Sequence, residues 1–307
     1  MTKRKTKAGW VRGALVGGLA AAGAAVAAQR WAAARGSAAG RGIPLPRGRA
    51  VVTGASAGIG AEFARQLAAA GFDLTLVARR AERLQALADE LSAAHGIRAE
   101  AWPSDLADEA DVAALGQALA AADDLVLLVN NAGFGTHGEF VEVALERTLD
   151  MIRVHVLATV TLCRAAAPGM IARGGGAIIN VSSIAAFFPS AGGVTYGATK
   201  VYLNVFSEAL ADELRGSGVV VQALCPGFTT TEFHDVGDYQ NFDRSQIPAP
   251  LWMPAREVVA ESLAALGGRR VIVVPGAKYQ AIVTAANSPL GNPIRQAARA
   301  VRARWRR

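Results

Sequence analysis

Seven short apolar runs, separated by longer amphipathic ones, limit this chain to very few folds. The series starts at Ala50. "AVVTG" leads into a helical pattern from Ile59 to Ala70, and "FDLTLVA" precedes "AERLQALADELSAAHG", which Gly96 ends. "IRAEAWPSD" precedes a helix near Glu109–Ala121, and "DLVLLVNNAG" one near Leu145–Ala166. "GAIINVSS" leads to a helix that includes Tyr196 and runs to about Leu214. "GVVVQALCPG" and "RRVIVVPG" close the series, with a helix between them at about Arg256–Leu266. Strands of near-continuous Val, Ile and Leu are buried on both faces. They predict a parallel seven-stranded sheet covered by helices on each side, doubly wound by right-handed crossovers, in a single α/β domain. The 307 residues suffice for such a domain with a proper core.

Ligands of such a sheet bind beyond the carboxyl ends of its strands. There the first strand runs into "TGASAGIG", with Gly54, Gly58 and Gly60. The spacing is GxxxGxG rather than GxGxxG, but the physics is similar. Glycine lets the backbone turn tightly against a phosphate, and the next helix starts with free N–H groups aimed at that anion. A glycine run alone is weak; one placed between strand and helix is a nucleotide-binding turn of a Rossmann-type fold. Gly54, Ser56, Gly58, Ile59 and Gly60 are its candidate contacts. The second strand ends in "LVARR", where an NAD site usually carries a carboxylate for the ribose hydroxyls. Arg79 and Arg80 would instead bind a 2′-phosphate, with Ser56 as an added donor, so NADP is favoured. The plain alternative is that both arginines are exposed charges at a helix entry.

In "VTYGATKVYLNV", Tyr196 and Lys200 stand one helical turn apart on the same face. Alone, this pair is what many helices show by chance; the rest of the chain decides. "TGASAGIG", "NNAG" at 130–133, "NVSS" at 180–183, "YGATK" and "PGFTTT" at 226–231 occur in this order. In this, the stretch from about Arg49 to Pro275 resembles the short-chain dehydrogenase/reductase family, most nearly its 3-ketoacyl and hydroxysteroid reductases. The resemblance implies an oxidoreductase that moves a hydride between nicotinamide and a carbonyl or alcohol. It makes Tyr196 the proton donor in reduction and Lys200 the cation that favours its phenolate and holds the nicotinamide ribose. Ser183, 13 residues before Tyr196, would hydrogen-bond the substrate oxygen. A free tyrosine titrates near pH ~10, so it needs such help near neutrality. The resemblance also assigns Asp105 and Leu106 to the adenine and Asn131, Ala132 and Gly133 to its ribose. Pro226, Gly227 and Thr229 fall at the nicotinamide edge, and Thr231 at a phosphate or carboxamide. Asn130 reads as a sheet-stabilising residue. In "MIRVHVLATV" the family normally has Asn where this chain has His155. That Asn is thought to hold a water linking the lysine to solvent. His155 is therefore expected near Lys200, as a neutral imidazole in a proton relay.

The net charge of +7 resides in the ends. Residues 1–49 hold ten Lys or Arg and residues 295–307 hold six, with no acid in either, so the middle of the chain is −9. A nucleic-acid-binding domain would carry its basic patch on the folded part, and none is expected here. Basic ends suit an anionic membrane surface or solvated tails. No charge interrupts Gly13 to Gln29, and Trp10 and Trp31 bracket 20 residues, about 30 Å of helix. Membrane association through residues 11–30 is one reading, with the catalytic domain facing the cytoplasm. A cleaved signal peptide and a surface-lying or disordered tail are the others. Cys163 and Cys225 read as buried thiols, and four scattered histidines point to no metal.

The division expected is an N-terminal extension and linker over 1–48, an NADP-binding catalytic domain over 49–276, and a basic C-terminal extension over 277–307. Residues 228–254 are too long and irregular for a connector and read as a lid. Phe228, Phe233, Tyr239, Phe242, Leu251, Trp252 and Met253 would line it for a hydrophobic carbonyl or alcohol substrate, unless they only pack it to the core. A homo-oligomer is expected. The rival function is a non-catalytic NADP-binding sensor or scaffold.

Overall fold

The computed structural model describes residues 45–136, 138–234 and 244–288. The expected anchor at 11–30, the basic end beyond residue 288, and Tyr239 and Phe242 lie outside the described residues.

Among these, the strands are β1 (Arg49–Thr53), β2 (Asp73–Ala78), β3 (Ala99–Pro103), β4 (Leu125–Asn130), β5 (Gly176–Val181), β6 (Val219–Leu224), β7 (Thr229–Thr230), β8 (Met253–Pro254) and β9 (Ile272–Val273). The α-helices are α1 (Gly58–Ala69), α2 (Ala81–His95), α3 (Glu109–Ala121), α4 (Leu145–Ile152), α5 (Ala158–Ala172), α6 (Val194–Glu213), α7 (Ala255–Ala265) and α8 (Ala277–Asn287). The main sheet has seven strands in the order β3-β2-β1-β4-β5-β6-β9, every pairing parallel. The doubly wound Rossmann-type sheet is thus present. Its strand order reverses between β1 and β4, which opens a crevice at their carboxyl ends.

Side chains alternate across each strand, so one strand feeds two cores. Ala50 and Val52 of β1 pack with Phe63, Leu67, Leu74 and Leu76 on one face. Val51 packs on the other with Leu128, Leu162 and Met170. Each such Leu or Phe contributes about 1.5–3 kcal/mol by leaving water. Phe63→Ala would cost about 3–5 kcal/mol, since the cavity adds to the lost transfer energy. Gly96 ends α2 with φ +66°, the left-handed stop read from the sequence. Cys163 and Cys225 are buried free thiols, both pushed up to about 12 by burial.

Three expectations need correction. The helix expected over Leu145–Ala166 is present but not α-helical throughout. It widens into a π-helical turn over Arg153–Leu157 and then runs on to Ala172. Within that turn, Val154 and His155 are buried. The run Leu145–Ala172 is long and apolar enough to cross a membrane, yet half of it is buried in this domain, with Met151, Leu162 and Met170 in the core. The last strand is only Ile272–Val273, beside Ala223 and Leu224. Finally, the catalytic domain does not stop at residue 276. Tyr279, Val283 and Ala286 of α8 are buried in the first core layer, so the C-terminal extension starts later than expected.

Candidate active site

The glycine turn is fixed from β4. Thr53 Oγ accepts the N–H groups of Asn131 (2.9 Å) and Ala132 (3.0 Å), and donates to the Val129 carbonyl (3.3 Å). The Asn131 amide donates to the carbonyls of Thr53 (2.9 Å) and Gly54 (3.3 Å). A Cβ on Gly60 would lie 2.3 Å from the Gly54 oxygen, so only glycine permits this approach. The Asn131 amide nitrogen is thus committed to the turn. Asn130 donates to Asn180 (2.9 Å) inside the sheet, as its sheet-stabilising reading expected. Leu106 is buried in the second core layer, while Asp105 accepts the Ala107 N–H.

Helix α1 starts without a side-chain cap at Ala57. Its first N–H groups therefore have no cap oxygen, and they face the crevice side of the turn. Beside them, Arg80 donates through Nε and Nη2 to Ser56 Oγ (3.1 and 2.9 Å). Arg79 lies 3.8 Å from the Asp105 carboxylate and is largely exposed. A tight turn, an uncapped helix start, a hydroxyl and two guanidinium groups fit a phosphate-rich dinucleotide.

The reacting end is built on α6. Tyr196 sits in its first turn and Lys200 one turn on. Lys200 is 4% exposed, and its ammonium donates to the Val181 carbonyl at 2.9 Å. Burial pulls it down to about 7, because few groups around it replace the water it has lost. Its Nζ lies 5.5 Å from the Tyr196 ring centre. Ser182 ties β5 to α6 by donating to the Lys200 carbonyl at 2.9 Å. Next to it, Ser183 begins a short 3-10 turn over Ile184–Phe187 and accepts the Ala185 N–H at 3.1 Å. The sequence motifs separated by 13 residues thus meet at one strand end.

His155 lies edge-on to Tyr196, ring centres 5.8 Å apart. Its Nε2 accepts the Phe134 N–H at 3.1 Å, and its Nδ1 is 2.9 Å from Thr199 Oγ. It is held well below its ordinary value, first by burial and second by the charge of Lys200. The neutral state was expected, but burial outweighs the repulsion invoked for it. Both ring nitrogens thus have protein partners, which the relay reading did not foresee. A Cβ on Gly133 would lie 2.8 Å from Nε2, so this glycine makes room for the ring.

At the base of the lid, β7 pairs with β8, and the Met253 N–H donates to the Phe228 carbonyl at 2.9 Å. Tyr279 Oη accepts the Phe228 N–H at 2.9 Å and donates to the Leu251 carbonyl. A Cβ on Gly227 would strike the Tyr279 ring. Thr229 is buried, and its hydroxyl donates to the Gly227 carbonyl beside Pro226. Phe228 packs on Trp252 (5.5 Å), and Phe233 faces Tyr196 (6.3 Å). Met253 is buried against Gly276 and packs the lid to the core instead of lining it. The reading above missed Thr53, Glu232 and Tyr279. No local motif marks them, since each acts on a residue far away in sequence.

Residues 49–238 match the family described as short chain dehydrogenase. The very-long-chain 3-oxoacyl-CoA reductase of Laccaria bicolor is 37% identical over 191 residues, 61% of this chain. The chain spans only 56% of that relative's length. Among solved structures, a short-chain dehydrogenase from Sphingobium yanoikuyae in complex with NADPH is 36% identical, with a TM-score of 0.71. It covers 78% of this chain and 93% of its own. The bulky-bulky ketone specific alcohol dehydrogenase from Comamonas testosteroni is 30% identical, with a TM-score of 0.66, over 74% of this chain and 86% of its own.

Proposed function

The chain belongs to the short-chain dehydrogenase/reductase family of oxidoreductases, and on that premise we propose that it interconverts a bulky hydrophobic carbonyl and its alcohol with NADP. The observation that carries the reading is the buried Lys200 ammonium 5.5 Å from the Tyr196 ring, which Phe233 in turn faces at 6.3 Å. A bulky substrate agrees with what two similar proteins are named for, a very-long-chain 3-oxoacyl-CoA and a bulky ketone. NADP agrees with the paired arginines and with the NADPH bound by the Sphingobium protein.

In this reading the glycine turn and the start of α1 hold the pyrophosphate, and Ser56, Arg79 and Arg80 hold the 2′-phosphate. The nicotinamide supplies the hydride when bound. Ser183 orients the carbonyl oxygen and stabilises the charge that develops on it. Tyr196 gives that oxygen its proton, and the Lys200 cation favours the loss. The lid excludes water from the exchange.

The extension at 1–48 anchors the domain to a membrane through residues 11–30, with the catalytic part towards the cytoplasm, where NADP is found. A second copy would cover the exposed Leu157, Val201, Tyr202 and Val205 of the helices around α6. A screen of fatty-acyl, steroid and small ketones with NADPH tests the activity. Bulky ketones should consume NADPH in the wild type and not in Tyr196→Phe. Failure of every carbonyl in the wild type would sink the reading.

A further inference from the structure

Arg80, one of the two cations expected to bind the 2′-phosphate, already holds an anion from this chain, which it shares with Arg83. Glu232 stands in a short 3-10 turn over Glu232–His234, just after β7. One of its carboxylate oxygens is 2.5 Å from Arg80 Nη1, and the other is 2.9 Å from Arg83 Nη1. The same Arg80 guanidinium donates to Ser56 in the glycine turn. The residue before Glu232 also sits on that turn. A Cβ on Gly58 would come within 3.2 Å of the Thr231 side chain. Residues 231–232, where the lid leaves the sheet, therefore cover the phosphate end of the crevice.

We propose that Glu232 is a carboxylate stand-in for the cofactor's 2′-phosphate, which displaces it from Arg80 and Arg83 and so frees residues 231–232 from the glycine turn. The proposal rests on the NADP reading above. A phosphate monoester carries about −1.5 to −2 charges and three acceptor oxygens, against one charge and two oxygens for Glu232. It can take both guanidinium groups and the Ser56 hydroxyl together. Two anions on one pair of arginines repel, so the carboxylate must leave or weaken the phosphate. NADH has no group to compete with it. Glu232 thus makes the arrival of the phosphate a signal to the lid. Its carboxyl is raised by partial burial but held below the ordinary value overall by Arg80 and Arg83, so it is charged at neutral pH.

The test uses full-length protein and the substitution Glu232→Gln, which keeps the shape and removes the charge. Dissociation constants for NADPH and NADH are read by nucleotide fluorescence. Two half-exposed ion pairs of about 0.2–1 kcal/mol each set the size of the effect. NADPH should bind about three- to tenfold more tightly in the variant, with NADH within about twofold. Unchanged or weaker NADPH binding, or equal shifts for both nucleotides, would overturn the proposal. A second measurement uses the wild type alone. Amide exchange at residues 231–233 should speed up with 2′,5′-ADP and not with ADP. Equal exchange with both also overturns it. If the wild type prefers NADPH and Glu232→Gln changes nothing, this proposal falls and the NADP reading stands. If the wild type binds both nucleotides equally, both fall.

Discussion

His155 and Thr199 are joined side chain to side chain, Nδ1 to Oγ at 2.9 Å, on the residue just before Lys200. The Phe134 N–H needs Nε2 as acceptor, so Nδ1 carries the proton and donates to Thr199. Thr199 in turn donates to the Tyr196 carbonyl at 2.9 Å. The ring therefore bridges the turn after β4 to the first turn of α6. These contacts suit His155 to a positioning role.

Replacing His155 separates bridge from relay. His155→Leu leaves the Phe134 N–H without its acceptor, which costs about 1–3 kcal/mol. Turnover should fall with stability, while NADPH affinity stays close to wild type. His155→Asn keeps a donor and an acceptor and should restore most of both. Acid sensitivity is the further readout. The unfolded chain protonates His155 at its ordinary 6.5, whereas the folded chain refuses the proton until far lower pH. Wild-type stability therefore drops as pH falls below 6.5, and His155→Asn should lack that component. Parallel urea-unfolding curves from pH 7 to 5 would dismiss the buried neutral ring.

Lys200 gives a signed prediction at the alkaline side. Its folded value is about 7 and its unfolded value 10.5. Between these, the unfolded chain binds a proton that the folded chain does not. Lys200 thus costs the fold nothing above the window, an increasing amount as pH drops through it, and its full penalty below it. Lys200→Met should be inactive yet more stable near pH 7. Its advantage should shrink by about 1 kcal/mol per pH unit between roughly pH 7.5 and 9.5. A constant difference across that range would mean that Lys200 is charged in the fold throughout.

How far the sequence reaches can be judged at these positions. The parallel seven-stranded sheet and the glycine turn were legible because apolar runs, helix stops such as Gly96 and glycine spacing are local patterns; the order of the strands was not. Tyr196 and Lys200 were legible because one helical turn fixes their relation. What escaped was action at long range. That the Asn131 amide nitrogen returns to Thr53 and Gly54, nearly 80 residues earlier, no local pattern shows. Tyr279 looked like part of a basic tail, yet its hydroxyl serves Phe228 and Leu251. His155 was found by its departure from a motif, but its partners Phe134 and Thr199 could be named only in three dimensions.

On the NADP reading, cofactor preference rests on both Arg79 and Arg80. Arg80 is tied to Ser56, while Arg79 is exposed beside Asp105. A charge-assisted hydrogen bond contributes about 1.5–3 kcal/mol, so each arginine lost should weaken NADPH binding about ten- to hundredfold. Arg79→Asp should spare NADH, which lacks the phosphate that aspartate repels. Equal losses for NADPH and NADH in Arg79→Asp and Arg80→Ala would refute an NADP site here.

Deleting residues 1–40 tests the anchor independently of chemistry. The truncated protein should leave the membrane fraction and keep its turnover, since the sheet starts at Arg49. Full-length protein recovered in the soluble fraction would end the anchor reading.

Tyr279 joins residues 228 and 251, near the two ends of the segment read as a lid. Its hydroxyl joins the Phe228 N–H to the Leu251 carbonyl, and its ring fills the space that Gly227 leaves open. Tyr279→Phe keeps the ring and deletes only this bridge. One buried N–H then lacks its acceptor, at about 1–3 kcal/mol. The damage should be local, because β7 and β8 still pair and the ring still packs. The lid ends would separate more often, exposing the crevice to water and loosening the apolar wall at Phe228 and Trp252. KM for a bulky ketone should rise severalfold, with NADPH affinity less affected, because Tyr279 bonds Phe228 and Leu251 and neither belongs to the glycine turn. Tyr279→Ala should be far worse, since it also empties a core position. An unchanged KM in Tyr279→Phe, with the expected loss of stability, would show that Tyr279 supports the core and not the lid.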